Sequence, residues 1–117
     1  MVKKVDYKKK AIKLAETITK QKGFCERCLK KDVQLQASHI LPRTISTTSA
    51  YLPNLVCLCS YCHRLGPTSW HQSPVHGVRW LEKTYPGRIE QIFNYLDNKK
   101  TMPDWKTIYE DLKNKAQ

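Results

Sequence analysis

The sequence predicts an α+β fold with a small centre of two short strands and a helix, flanked by helices at both ends. Three observations predict it. Apolar residues recur at helical spacing near both termini. Between them lie an alternating run and a short apolar run, each of strand length. Two Cys-x-x-Cys pairs, Cys25/Cys28 and Cys59/Cys62, bracket those runs.

The bulk composition sets limits. A chain of 117 residues fits one domain, and a domain of this size has a thin core that a bound metal or a crosslink would help. Charged residues make up 26% of the chain, an ordinary share, but the formal net charge is +11. An excess of Lys and Arg on this scale points to a polyanionic partner, because such side chains neutralise phosphates and release counterions. No run approaches the ~20 apolar residues of a membrane span, and no apolar segment follows the basic N-terminus as in a secretion signal. Five cysteines, an odd number, argue against a closed disulfide framework. These features lead us to expect a cytoplasmic protein with no membrane partner.

Taken in order, the elements fall into three segments of one domain: a basic N-terminal helix within 1–23, a core over 24–66 and C-terminal helices over 67–117. Asp6 to Gln21 predicts the first helix, with Ala11, Leu14, Ala15 and Ile18 as its apolar stripe, Asp6 as its cap and Gly23 as its stop. Lys8, Lys9, Lys10, Lys13 and Lys20 lie on or near its polar side. Asp32 to Ile40 alternates, with Val33, Leu35 and Ala37 on the inward side and Gln34, Gln36 and Ser38 on the outward side. Leu41 to Pro53 reads as a long polar loop, and long loops often carry function. Leu55 to Leu58 predicts the second strand. Ser60 is placed to cap a helix running to Leu65, ended by Gly66-Pro67. Ser73-Pro74 opens the next helix with the stripe Val75, Val78 and Leu81; Ile89, Ile92, Phe93 and Leu96 mark another; Pro103 opens a last one with Trp105, Ile108, Tyr109 and Leu112.

The cysteines carry a specific chemical signal. A Cys-x-x-Cys turn holds two thiolates at the spacing a tetrahedral Zn2+ needs, and Cys25, Cys28, Cys59 and Cys62 together complete a closed site. With no open coordination position, that zinc is expected to be structural. Lys22, Arg27, Lys30 and Lys31 surround the first pair and ease deprotonation of its thiols. Cys57, within the apolar run Leu55–Leu58, reads as a buried cysteine outside the site.

Between and after the cysteine pairs stand His39 in Ser38-His39-Ile40-Leu41-Pro42-Arg43, and Asn54 and His63 at the two ends of Asn54-Leu-Val-Cys-Leu-Cys-Ser-Tyr-Cys-His63. Hydrolysis of a phosphodiester needs an activated water, charge relief at the phosphate and help for the leaving oxygen. His39 is the candidate general base. His63 can offer a ring nitrogen to a divalent cation, and Asn54 can orient the base or bind that cation through its carbonyl. Arg43 and Arg64 flank these residues as candidate phosphate contacts, joined by Lys8, Lys9, Lys13, Lys30 and Lys31. His71 and His76 read as surface or phosphate-contacting residues.

From Cys25 to His63 the chain resembles the HNH endonucleases, the ββα-metal nucleases with a treble-clef-like four-cysteine zinc site. Trp70 to Leu81 is similar to the tail of phage-encoded members, lambdoid recombination endonucleases among them. The resemblance implies the catalytic roles of His39, Asn54 and His63. It also implies DNA as partner, a divalent cation such as Mg2+ or Mn2+ beside the structural zinc, and products with 5′-phosphate and 3′-hydroxyl ends. One departure stands out: many members carry Asp directly before the first His as a metal ligand, and here that residue is Ser38. The alternative reading is a non-catalytic zinc module that binds nucleic acid.

Overall fold

In the computed structural model, which describes residues 4–99 and 103–116, the chain is α+β, in the order helix, strand, strand, helical turn and three helices. Residues 1–3 of the basic N-terminal segment, and 100–102 and 117 of the C-terminal one, lie outside the described residues. Helix α1 spans Tyr7–Lys20, and the Asp6 carboxylate caps it by accepting from Lys9 N at 3.0 Å. Gly23, at φ +83°, turns the chain out of it. The buried face of α1 is Ala11, Ile12 and Ala15.

Strands β1 (Leu35–His39) and β2 (Leu55–Cys59) pair antiparallel, with Gln36 opposite Leu58, Ser38 opposite Val56 and His39 opposite Leu55. Residues directly opposite share a face of the sheet. On one face, Val56 and Leu58 pack with Cys25, Cys59, Cys62, Trp70 and Leu81. On the other, Leu55 packs with Ala11, Ile12, Ala15, Ala50 and Leu112, and Ala37 lies against the same cluster. Every residue of β2 is therefore buried, which is why Leu55-Val-Cys-Leu-Cys59 reads as an unbroken apolar run.

The burial of both faces corrects the expected pattern of β1. Ser38, assigned to the solvent side, is completely buried, because the side it shares with Gln36 is roofed by the knuckles and the turn that follows β2. Val33 is largely exposed instead, since the strand starts only at Leu35; Asp32, at φ +54°, still belongs to the turn before it. The segment Leu41 to Pro53 is no open loop. It contains 3-10 turns at Ser46–Thr48 and Leu52–Asn54 and buries Thr48, Ser49 and Ala50.

After β2 the chain makes one turn of π-helix, Tyr61–Leu65, closed by Gly66 N donating to Tyr61 O at 2.9 Å. Ser60 does not cap it. Its backbone is already helical, and its hydroxyl donates to Gln34 Oε1 and accepts from Gln36 Nε2. Helices α2 (Pro74–Thr84), α3 (Arg88–Asn98) and α4 (Trp105–Ala116) follow. In α2 only Gly77 and Leu81 are buried, and Val75 and Val78 of the expected stripe are exposed; in α3 Ile92 is buried and Phe93 is exposed. The last helix starts at Trp105 rather than Pro103, because the Asp104 carboxylate accepts from Thr107 N and Thr107 Oγ1 as an N-terminal cap.

Long-range ties lock these pieces. Helix α4 lies along α1, with Tyr7 and Tyr109 in aromatic contact. Arg88 donates to Pro53 O and Leu55 O, both at 2.7 Å, and Tyr51 stacks on Tyr95 at 3.8 Å. The buried Glu26 accepts from Cys57 N and from the Tyr85 hydroxyl, both at 2.6 Å, joining the first knuckle to β2 and to the end of α2. Burial, followed by the bond to Glu26, pushes the Tyr85 phenol up to about 12.

Gly77 is the tightest point. A Cβ there would stand 2.2 Å from Trp70 Cε3, so α2 reaches the buried indole only because residue 77 has no side chain. Gly77→Ala is expected to lower stability by about 1–3 kcal/mol through overpacking, read as a lower midpoint in thermal unfolding. Helix propensity alone favours Ala by about 1 kcal/mol, so a stabilised variant would show that Trp70 repacks without penalty.

Candidate functional site

Two centres are built on the short sheet. The first is the cysteine cluster. One ligand atom from each of Cys25, Cys28, Cys59 and Cys62 lies within 4.8 Å of the others, and Cys28 Sγ is 3.7 Å from Cys59 Sγ. Sulfurs at roughly 2.3 Å from a tetrahedral zinc are about 3.8 Å apart, so the donor set fits that ion. Each knuckle also turns an amide onto its first sulfur: Cys28 N donates to Cys25 Sγ and Cys62 N to Cys59 Sγ, both at 3.5 Å. Burial opposes ionisation of Cys25, but hydrogen bonds from backbone N–H groups, first those of Cys28 and Cys59, outweigh it and bring the thiol down to about 7. Burial pushes Cys28 and Cys62 up, a cost that a cation would relieve. Cys57 lies outside the cluster; it is fully buried, and burial raises its thiol to about 11.

The second centre is a groove of about 510 Å³ lined by Glu16, Ala37, His39, Ile40, Pro42, Arg43, His63, Arg64, Trp70, His71, Pro74 and Val78. His39 and His63 reach it from opposite faces of the sheet. His39 sits on the α1 side with Ala37, whereas the turn carrying His63 packs on the side of Gln36 and Ser38, so the two meet around the free edge of β1.

Hydrogen bonds define which nitrogens are available. His39 Nε2 lies 2.8 Å from Ser49 O. A carbonyl only accepts, so Nε2 carries the proton and Nδ1 holds the lone pair. His63 is 5% exposed, and its Nδ1 lies 2.6 Å from Gln36 Oε1. With the Gln36 amide nitrogen directed at Ser60 Oγ, His63 Nδ1 is the donor and Nε2 holds the lone pair. Burial, then the neighbouring His71, Arg64 and His39, lower the His63 imidazolium to about 4, so this ring is neutral at physiological pH. His63 Nε2 points at His71 Nε2, 3.1 Å away, with the two ring centroids 4.7 Å apart.

The remaining predicted residues divide. Arg43 and Arg64 line the groove, Arg43 within 3.3 Å of the Glu16 carboxylate. Lys8, Lys9 and Lys13 line an adjoining furrow that shares Glu16 and Arg43 with it, so the basic face of α1 runs into the groove. Lys30 and Lys31 are exposed on the first knuckle and line neither surface. Asn54 is completely buried behind the groove. Its Oδ1 accepts from Leu41 N at 2.7 Å while Nδ2 donates to Leu41 O and Thr48 O, so the side chain that the sequence offered as a metal ligand braces the loop carrying Ser49. Sequence reasoning gave Gln36 no site role and read His71 as a surface or phosphate-contacting residue. The signal for Gln36 lay in the strand period, which sets it two residues from Ser38 on one face.

Among the described residues, Ser38 Oγ is the buried side-chain polar atom without a hydrogen-bond partner. It stands where the resembling family often carries a carboxylate.

Zinc is expected at about one atom per chain in elemental analysis of purified protein. Apparent Zn2+ binding energies of ~10–16 kcal/mol are as large as the whole stability of a small domain, ~5–15 kcal/mol. Cys28→Ser, at an exposed position where packing is not at stake, should therefore unfold the protein at physiological temperature or lower its melting midpoint sharply. An unchanged melting curve in metal-free protein would contradict a structural zinc.

Comparison with protein families matches residues 25–65 to the HNH endonuclease family. Neither curated proteins nor solved structures gave a significant match to the chain. The matched stretch runs from the first zinc-knuckle cysteine to the end of the π-turn, and so holds all four clustered cysteines with His39, Asn54 and His63. Residues 25–65 thus match the HNH endonuclease family, and the matched stretch is built around a four-cysteine cluster and extended by helices on both sides.

Proposed function

We propose that the protein is a metal-dependent endonuclease that hydrolyses phosphodiester bonds in DNA, with His39 as general base. One observation carries the reading: His39 and His63 line one groove with Arg43 and Arg64, and a hydrogen bond at one ring nitrogen of each leaves the other with its lone pair. Ser49 O holds the proton on His39 Nε2, so Nδ1 is free to take a proton from an attacking water. Gln36 orients His63 in the same manner. Arg43 and Arg64 would bind phosphate oxygens, and Lys8, Lys9 and Lys13 extend the cationic track along α1. A divalent cation held at His63 would supply Lewis acidity, relieving charge on the scissile phosphate and on the departing 3′ oxygen. Asn54 acts through position, fixing the loop whose carbonyl at Ser49 sets the tautomer of His39.

The second reading, a zinc module that binds nucleic acid without cutting it, is favoured by Ser38. A hydroxyl is a weaker metal ligand than the carboxylate often found there. No helix among the described residues is long and apolar enough to cross a membrane.

Supercoiled plasmid incubated with protein and a panel of divalent cations separates the two readings. The nuclease reading expects nicked or linear products only with added cation. His39→Ala should lose at least about 100-fold in cleavage while keeping zinc content, melting midpoint and DNA affinity. Binding without cleavage under every cation would leave the binding-module reading. Binding itself should fall steeply with salt, and replacing Lys8, Lys9 and Lys13 by Gln should reduce the slope of log K against log salt by about two to three. An unchanged slope would place α1 away from DNA.

A further inference from the structure

We propose that His71 joins His63 in a two-imidazole site for a divalent transition-metal cation, taking the place of the carboxylate absent at Ser38. The inference rests on the nuclease reading for the cation's purpose, but its geometry stands apart from it.

The two Nε2 atoms are 3.1 Å apart. Two imidazole nitrogens at roughly 2.0–2.1 Å from one ion, at angles between octahedral and tetrahedral, are about 2.9–3.4 Å apart. The pair therefore has a chelating separation before any ion binds. The His63 lone pair is already aimed: the bond from Nδ1 to Gln36 Oε1 leaves Nε2 as the acceptor facing His71. Without an ion, the pair is satisfied by one N–H donated from His71 to His63. His71 is solvent-exposed, so its ring can carry the proton on Nδ1 instead, exchanging it through water with no change in net charge.

The backbone holds this arrangement. His71 N donates to His63 O at 3.0 Å, and Trp70 N donates to Cys62 O at 2.9 Å. The Trp70 indole is buried against Gly77. His71 is thus tied directly to the π-turn that ends the second zinc knuckle. Around the pair, hard oxygen ligands are scarce. The carboxylate lining the groove belongs to Glu16 and is engaged by Arg43, and Ser38 offers a buried hydroxyl on the face of β1 that carries Gln36. Two imidazoles with few oxygens suit Co2+, Ni2+ or Zn2+ best, Mn2+ less well and Mg2+, which prefers oxygen ligands, least. The remaining coordination positions would face the groove, where a phosphate and water have access.

The test uses the full chain with its cysteine cluster zinc-loaded, and Ni2+ as the probe. Titration calorimetry should show one Ni2+ bound per chain. His71→Ala, at an exposed position, should weaken it at least about tenfold with zinc content and melting midpoint unchanged; His63→Ala should weaken it as much with zinc content retained but a lower melting midpoint, since that ring is buried, whereas His76→Ala should bind as the wild type does. Without any variant, nitrogen-detected spectra of the histidine rings should show both Nε2 resonances lost at saturating Ni2+. A His71 ring unaffected at saturation, or a His71→Ala protein that binds like the wild type, overturns the site. The two proposals fail separately. Binding through both rings without cleavage under any cation removes the nuclease reading and keeps the site. Cleavage by His71→Ala with wild-type metal dependence removes the site and keeps the nuclease.

Discussion

The four-sulfur cluster is the constraint on which the rest depends. It joins a turn before β1 to a turn after β2, and so closes the short hairpin at its open end. A two-stranded sheet is marginal by itself. Here the cluster, Glu26 and the Arg88 bonds to Pro53 O and Leu55 O fasten β2 from several sides, and four of its five buried residues are divided between two small clusters. The same cluster fixes where the chain leaves β2. Cys62 completes the four-sulfur cluster, so His63, the next residue, is held beside it, and the backbone bonds from Trp70 and His71 return the chain to that spot.

Charge and chemistry are divided between the two centres. The cysteine cluster is closed and has no part for a substrate. The groove is open and is lined by three histidines and two arginines. Burial keeps His63 neutral, which leaves its lone pair available at physiological pH. The tautomers of His39 and His63 are each set by one oxygen, a backbone carbonyl for the first and an amide carbonyl for the second. Second-layer oxygens of this kind often decide whether an imidazole is a base or a ligand.

Much of this was legible in the sequence. The cysteine spacing pointed to the cluster, the period of α1 to its helix and cap, and the order of His39, Asn54 and His63 to the family module. What escaped has physical reasons. The alternation in β1 looked half-exposed because Gln36 and Ser38 are polar, yet the turn after β2 covers that face and gives Gln36 a histidine to hold. Val75 and Val78 matched a helical stripe, but the contact of α2 is made by Gly77, whose missing side chain carries no hydrophobic signal. Asn54 looked like a ligand because its side chain has a carbonyl; only its neighbours Leu41 and Thr48 show that the group is in use. His71 lies eight residues beyond His63, and its approach depends on a turn whose shape no local motif announces.

We propose that one short chain holds a closed thiolate centre and a separate open imidazole centre. Anomalous diffraction from crystals of the zinc-loaded protein soaked with Mn2+, recorded on both sides of the zinc and manganese absorption edges, tests it most directly. A zinc peak is expected among the sulfurs of Cys25, Cys28, Cys59 and Cys62, and a distinct manganese peak in the groove beside His63 Nε2. A single metal peak, or a zinc peak in the groove with the four sulfurs unliganded, would contradict it.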